Sequence, residues 1–221
     1  MTYVDKQSEE RLISGLTSIL PGTGFIAEES PSLKTGDLNW VIDPLDGTTN
    51  FIHGIPVFSI SVALMQNTAI LIGIIYEINR DECFCTWKAS PSYLNGKIIR
   101  VSEAANLSDC LLATGFPYYD FERLDAYLRV FRHFMETTHG IRRLGSAAAD
   151  LAYVACGRFD GFYEYGLHPW DVAAGCLLVE NAGGKICDFN LGKDYIFGKE
   201  IIATNAKVFD SFKQAFTDNF R

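Results

Sequence analysis

The sequence predicts a mixed α+β protein with two sub-layers, residues 1–110 and 111–221 or thereabouts. Three observations point that way. Phe58–Leu64, Ile70–Tyr76 and Glu82–Trp87 read as β-rich or alternating runs, separated by polar turns at Gln66-Asn67 and Asn79-Arg80-Asp81, which is the pattern of an antiparallel meander. Beyond Leu111, helix-period stretches at Phe121–Thr137, Ser146–Cys156, Val172–Asn181 and Ala206–Phe216 alternate with short strands, as in an α/β layer. No low-complexity linker or internal repeat separates the halves.

The elements follow in order. Leu12, Ile13, Leu16, Ile19 and Leu20 recur at helical spacing over Asp5–Leu20, and Pro21-Gly22 stops the helix. Phe25-Ile26-Ala27 is a short strand that delivers Glu28-Glu29 at its end. Leu38–Ile42 is the next strand; Val41 and Ile42 are β-branched and apolar, and Pro44, which cannot donate to a ladder, is expected to end it. Asn95-Gly96 marks a tight hairpin.

Composition narrows the function classes. With 221 residues, 48% hydrophobic and 13% aromatic, the chain is long and apolar enough to bury a real core. A formal charge of −8 disfavours a polyanionic partner, and Arg142-Arg143 is too small a basic patch for a nucleic-acid groove. The six cysteines lack paired C-x-x-C spacing, so reduced thiols are expected rather than zinc. No run approaches the ~20 apolar residues of a membrane span, and the start lacks a leader pattern, which makes the cytoplasm the expected location.

The most informative run is Trp40-Val41-Ile42-Asp43-Pro44-Leu45-Asp46-Gly47-Thr48-Thr49-Asn50. It sets two carboxylates and two hydroxyls at a strand end. Hard divalent cations such as Mg²⁺ take oxygen ligands and share them between carboxylates, waters and substrate phosphate. Gly47 permits close backbone approach, and Thr48 or Thr49 can start a short helix whose free N–H groups face an anion. In isolation the run reads more often as a solvated Asp-Gly turn than as a site. An EF-hand is disfavoured because Pro44 and Leu45 occupy places that need oxygens. The aspartyl-phosphate phosphatases place one residue between their acids, whereas Asp43 and Asp46 have two. Asp171, in His168-Pro169-Trp170-Asp171, fits the first turn of a helix as well as it fits a metal site, and Glu164 ends a strand.

Glu28-Glu29-Ser30, Asp43-Pro44-Leu45-Asp46-Gly47-Thr48-Thr49-Asn50 and Trp170-Asp171-Val172-Ala173-Ala174-Gly175, followed by Gly183-Gly184, together resemble the inositol monophosphatase family of Mg²⁺-dependent, lithium-sensitive phosphomonoesterases. Gly140-Ile141-Arg142-Arg143-Leu144-Gly145-Ser146-Ala147-Ala148 is similar to its bacterial branch. The resemblance implies a layered αβαβα sandwich, with an antiparallel sheet in the first half and a smaller mixed sheet in the second. It implies one such domain over 1–221, usually a homodimer, that starts after the family's usual N-terminal helical segment.

Carried residue by residue, the resemblance implies that Glu28, Asp43 and the Leu45 carbonyl hold one Mg²⁺, and that Asp43, Asp46 and Asp171 hold a second, with two or three ions in all. Gly47 and Thr48 N–H groups would hold the phosphate beside Leu45, Asp46 and Asp171. Glu164, Arg142 and the Gly145-Ser146-Ala147 turn would contact the alcohol part of the substrate, and Asp5 resembles the acid near the metal loop. Thr48 and Glu28, with Asp43, are the expected catalytic groups, acting on a water that attacks in line. The expected reaction is hydrolysis of myo-inositol 1-phosphate or a similar small polyol phosphate, with no nucleic acid or membrane partner. Hydrolysis of 3′-phosphoadenosine 5′-phosphate, fructose 1,6-bisphosphate or histidinol phosphate, or a non-catalytic binding or regulatory role, are the alternatives.

Overall fold

The computed structural model describes residues 2–30 and 36–220; Met1 and Arg221, the ends of the expected unit, lie outside them. The first helix, α1 (Tyr3–Ile19), starts where Thr2 accepts hydrogen bonds from Val4 N and Asp5 N, while the Asp5 side chain answers the Thr2 N–H. Its Leu12, Ile13 and Leu16 pack on the outer face of the first sheet, against a cluster that includes Phe25, Trp40, Ile42 and Val62.

That sheet runs in sequence order: β1 (Gly24–Ala27), β2 (Leu38–Asp46), β3 (Ser59–Gln66), β4 (Ala69–Glu77), β5 (Glu82–Trp87), β6 (Ser92–Leu94) and β7 (Lys97–Ile99). The expected meander is present from β2 onward. The expectation of an antiparallel sheet needs one correction, because β1 pairs parallel to β2, with Ala27 beside Ile42. Parallel strands end at the same edge, so Glu28 and Asp43, the residues next in line, emerge side by side.

Pro44 does not end β2. The strand continues to Asp46, and its register with β3 slips between Asp43↔Ser61 and Asp46↔Ser59. A residue without an N–H is tolerated at such an irregularity because no ladder bond is asked of it. The slip re-aims the chain at the two acids that flank it. The short α2 (Thr48–Ile52) follows directly, with Gly47 at φ +98°; a Cβ there would meet Val57 O at 3.0 Å and Gly145 O at 3.2 Å.

The second sheet has the order β11-β12-β10-β8-β9, built from β8 (Leu111–Thr114), β9 (Gly140–Arg142), β10 (Gly161–Tyr165), β11 (Lys185–Cys187) and β12 (Glu200–Thr204). It is mixed: β8 pairs parallel with β9 and β10, and β12 pairs antiparallel with β10 and β11. Between the sheets lie α4 (Ala147–Ala155) and α5 (Pro169–Asn181), buried almost along their whole lengths, as helices covered on both sides must be. On the far face, α3 (Leu124–Thr137) and α6 (Phe209–Asn219) close an aromatic core in which the Phe134 and Phe212 rings lie 4.5 Å apart. The layers therefore stack α1, sheet, α4 with α5, sheet, α3 with α6.

Helix starts differ modestly from expectation. α5 begins at Pro169 rather than Val172, because proline suits the first helical turn. α6 begins at Phe209 rather than Ala206, because Asn205 Oδ1 accepts from Lys207 N at 2.9 Å and Val208 N at 3.1 Å and holds those residues in a turn. All six cysteines carry free thiols. Among the described residues no helix is long and apolar enough to cross a membrane.

Candidate metal centre

Three aspartates from two elements converge. Asp43 and Asp46 come from the end of β2 and Asp171 from the first turn of α5; one carboxylate oxygen from each lies within 4.8 Å of the others. Each is held by a local bond. Leu45 N donates to Asp43 Oδ1 at 2.9 Å. His168 N donates to Asp171 Oδ2 at 2.6 Å. Asp46 Oδ2 accepts from Ser146 Oγ and from Ala148 N, each at 2.7 Å, which leaves its other oxygen for the cluster.

Burial and crowding set the electrostatics. Burial pushes the Asp43 carboxyl well above the usual carboxylate range, and the charges of Asp46, Glu28 and Asp171 push it further. Asp171 is raised for the same reasons, burial first and Asp46 next. Asp46 rises to about 6 through burial, with the Ser146 and Ala148 bonds opposing the rise. Glu28 stands at the open mouth of the cluster, exposed to solvent on one side, yet the surrounding protein removes enough water to lift it to about 7.

Such a group of acids is self-repelling unless positive charge joins it. The donors are all oxygen, which suits a hard divalent cation and fits the Mg²⁺ expected from the sequence. The Leu45 carbonyl accepts from Thr48 Oγ1 at 3.0 Å beside the acids.

Thr48 also faces Asp5, whose Oδ1 lies 3.1 Å from the threonine hydroxyl. Asp5 is 1% exposed. The family resemblance marks it as the acid near the metal loop, and the structure also places it in the capping box of α1; its contact with Thr48 was not readable from spacing. Asp150, which the sequence did not single out, is also buried near the cleft; burial and then Glu164 raise its pKa strongly, and its Oδ1 meets no hydrogen-bond partner among the described residues.

The acids line a cleft of about 650 Å³ whose walls also carry Thr48, Tyr118, Arg143 and Glu164. Glu164 on β10 is 8% exposed, and its carboxyl occupies space that opens because residue 115 is glycine: a Cβ there would overlap it. Gly145, Ser146 and Ala147 also line the cleft, but the Ser146 hydroxyl bonds Asp46 and caps α4.

The arginine expected there is corrected. Arg142 turns away and donates to its own neighbour's carbonyl, Ile141 O, at 3.1 Å, while Arg143 faces the cleft. Arg142 ends β9, and successive residues of an extended chain point to opposite sides. Arg143 donates to Tyr118 Oη at 2.5 Å, and its charge reaches Asp46 and Glu164.

An oxygen-only acidic cluster where β2 meets the start of α5, inside a layered αβαβα fold, defines a candidate centre for a hard divalent cation. The model of the inositol monophosphatase family matches residues 1–217. A Pseudomonas aeruginosa protein named Nus factor SuhB is 41% identical over 215 residues, which is 95% of this chain and 79% of that protein. A Mesorhizobium japonicum inositol-1-monophosphatase is 40% identical over 207 residues, 93% of this chain and 78% of the relative. Among solved structures, the extragenic suppressor protein suhB from Bartonella henselae superposes with a TM-score of 0.93 at 40% identity, covering 98% of this chain and 84% of the other. The inositol monophosphatase from Anabaena superposes with a TM-score of 0.92 at 39% identity, covering 97% and 86%. The chain belongs to the inositol monophosphatase family.

Proposed function

We propose that this chain is a Mg²⁺-dependent phosphomonoesterase that hydrolyses myo-inositol 1-phosphate or a similar small polyol phosphate. The observation that carries the reading is the convergence of Asp43, Asp46 and Asp171 beside the Asp5–Thr48 pair. Glu28, Asp43, Asp46, Asp171 and the Leu45 carbonyl would hold the cation. When bound, Mg²⁺ supplies positive charge to the phosphate oxygens and Lewis acidity toward water.

The chain's own residues do the rest. Thr48 Oγ1 donates to Asp5 and so turns a lone pair toward a water placed at the acids. As the water oxygen bonds to phosphorus in line with the leaving oxygen, its proton passes to Thr48 Oγ1 and the threonine proton to Asp5. The phosphorus–alcohol bond breaks, and the leaving oxygen takes a proton from solvent at the open mouth. Gly47 and Thr48 at the start of α2 would orient the phosphate. Glu164 would accept from polyol hydroxyls, and Gly115 gives it room.

The relative named inositol-1-monophosphatase supports this substrate class. A homodimer belongs to the same reading. The relatives named Nus factor SuhB support a second reading, in which the same fold serves a partner-binding role. Purified protein with Mg²⁺ and a panel of small phosphate esters discriminates between them. Release of phosphate from inositol 1-phosphate is expected; release from none of the esters would leave the partner-binding reading, and a clear preference for a bisphosphorylated nucleotide would displace the polyol.

A further inference from the structure

The first two turns of α1 touch the acidic centre at three points. Asp5, Ser8 and Glu9 lie at spacings of three and four residues, so they share one face of the helix. Each meets a different part of the chain around the acids. Asp5 accepts from Thr48 just after Asp46. Ser8 Oγ donates to Pro44 O, between Asp43 and Leu45, at 3.1 Å. Glu9 Oε2 accepts from Glu29 N, the residue after Glu28, at 2.9 Å. The same helical face continues with Leu12 and Leu16, which pack on the sheet.

Glu9 is 2% exposed, an uncommon position for a carboxylate. A buried carboxylate needs donors, and here the backbone N–H of Glu29 is one of them. The apolar part of α1 fixes the helix to the sheet, and the polar part then fixes the two acid-bearing strand ends to the helix.

We infer that Ser8 and Glu9 are positioning residues for the metal centre: they pin the Pro44 carbonyl and the Glu29 amide, and so hold Glu28 and Asp43 in register for one cation. This rests on the proposed metal-dependent reading. Partners of this kind orient ligands without touching the ion, and their loss lowers metal affinity about 10–100-fold.

The test is Mg²⁺ titration calorimetry on the purified full chain, with hydrogen exchange of the Glu29 amide read in parallel. Glu9→Ala is expected to weaken Mg²⁺ binding about 10-fold or more and to speed exchange at Glu29, whereas Glu9→Gln, which keeps an acceptor oxygen, stays within about 3-fold of wild type. Ser8→Ala, at a half-buried position, is expected to weaken Mg²⁺ binding about 10-fold and to fold whether or not Glu9→Ala does. A folded Ser8→Ala or Glu9→Ala protein with wild-type Mg²⁺ affinity overturns the inference alone. Wild-type protein that binds no Mg²⁺ overturns the reading beneath it, and the inference with it.

Discussion

Asp46 and Ser146, a hundred residues apart in sequence, meet through a 2.7 Å hydrogen bond that joins the end of β2 to the start of α4. Ser146 is 1% exposed, caps α4 through Ala149 N, and bonds Asp46 with the same hydroxyl. Replacing it with alanine removes a helix cap and a charge-assisted bond together. Ser146→Ala is expected to destabilise the protein by about 1–3 kcal/mol in denaturant melts and to weaken divalent-cation binding. A loss below about 0.5 kcal/mol would show that the bond does not brace the site.

The Thr48–Asp5 contact is expected to act on rate rather than on binding. Thr48→Ala and Asp5→Asn should each lower kcat about 10²–10⁴-fold with KM little changed, and the double variant should lose no more than the worse single one. Additive losses in steady-state kinetics would mean that the two residues act separately.

Stability of the metal-free protein should fall as pH rises. Asp46 and Glu28 have pKa values near 6 and 7 in the folded protein, against ordinary values of 3.8 and 4.5, and Asp43 and Asp171 are raised as well. Between the ordinary and the raised values the folded state holds more protons than the unfolded state. The stability these groups give is therefore complete at acid pH and is lost as pH climbs through the folded values. Thermal melts of chelator-treated protein should show Tm declining from about pH 5 to about pH 8, and Mg²⁺ should restore more stability at the upper end than at the lower. A chelated protein whose Tm climbs over that interval would contradict the assignment.

Gly115 is expected to be intolerant for a reason confined to the alcohol end of the cleft. Gly115→Ala places a methyl group where the Glu164 carboxyl lies. Displacing that carboxyl should lower kcat/KM for a polyol phosphate about 10–100-fold and leave Mg²⁺ affinity unchanged. Equal kcat/KM in the two proteins would remove Glu164 from the substrate's contacts.

Much of the centre was legible because its acids sit in short motifs that end strands or begin a helix. Asp43 and Asp46 belong to one run, Asp171 follows Pro169 at a helix start, and the structure brings these three acids together. What escaped depends on tertiary geometry. The Asp5–Thr48 contact spans 43 residues, and the Ala148 N–H that holds Asp46 is a backbone group with no side-chain signature. Choosing Arg143 over Arg142 requires knowing which side of β9 faces the cleft, which composition does not carry. Pro44 misled because the proline rule describes regular ladders, and β2 is irregular there. The parallel β1–β2 pair was hidden for the opposite reason: periodicity gives strands but not their partners, and that pairing brings Glu28 to Asp43.

Calorimetric titration of Mg²⁺ into wild-type protein and into Asp43→Asn, Asp46→Asn and Asp171→Asn tests the shared acidic centre most directly. The account predicts saturable binding in the wild type and weakening in every variant, most severely in Asp43→Asn, the most buried of the three. Wild-type affinity retained in all three variants would contradict it.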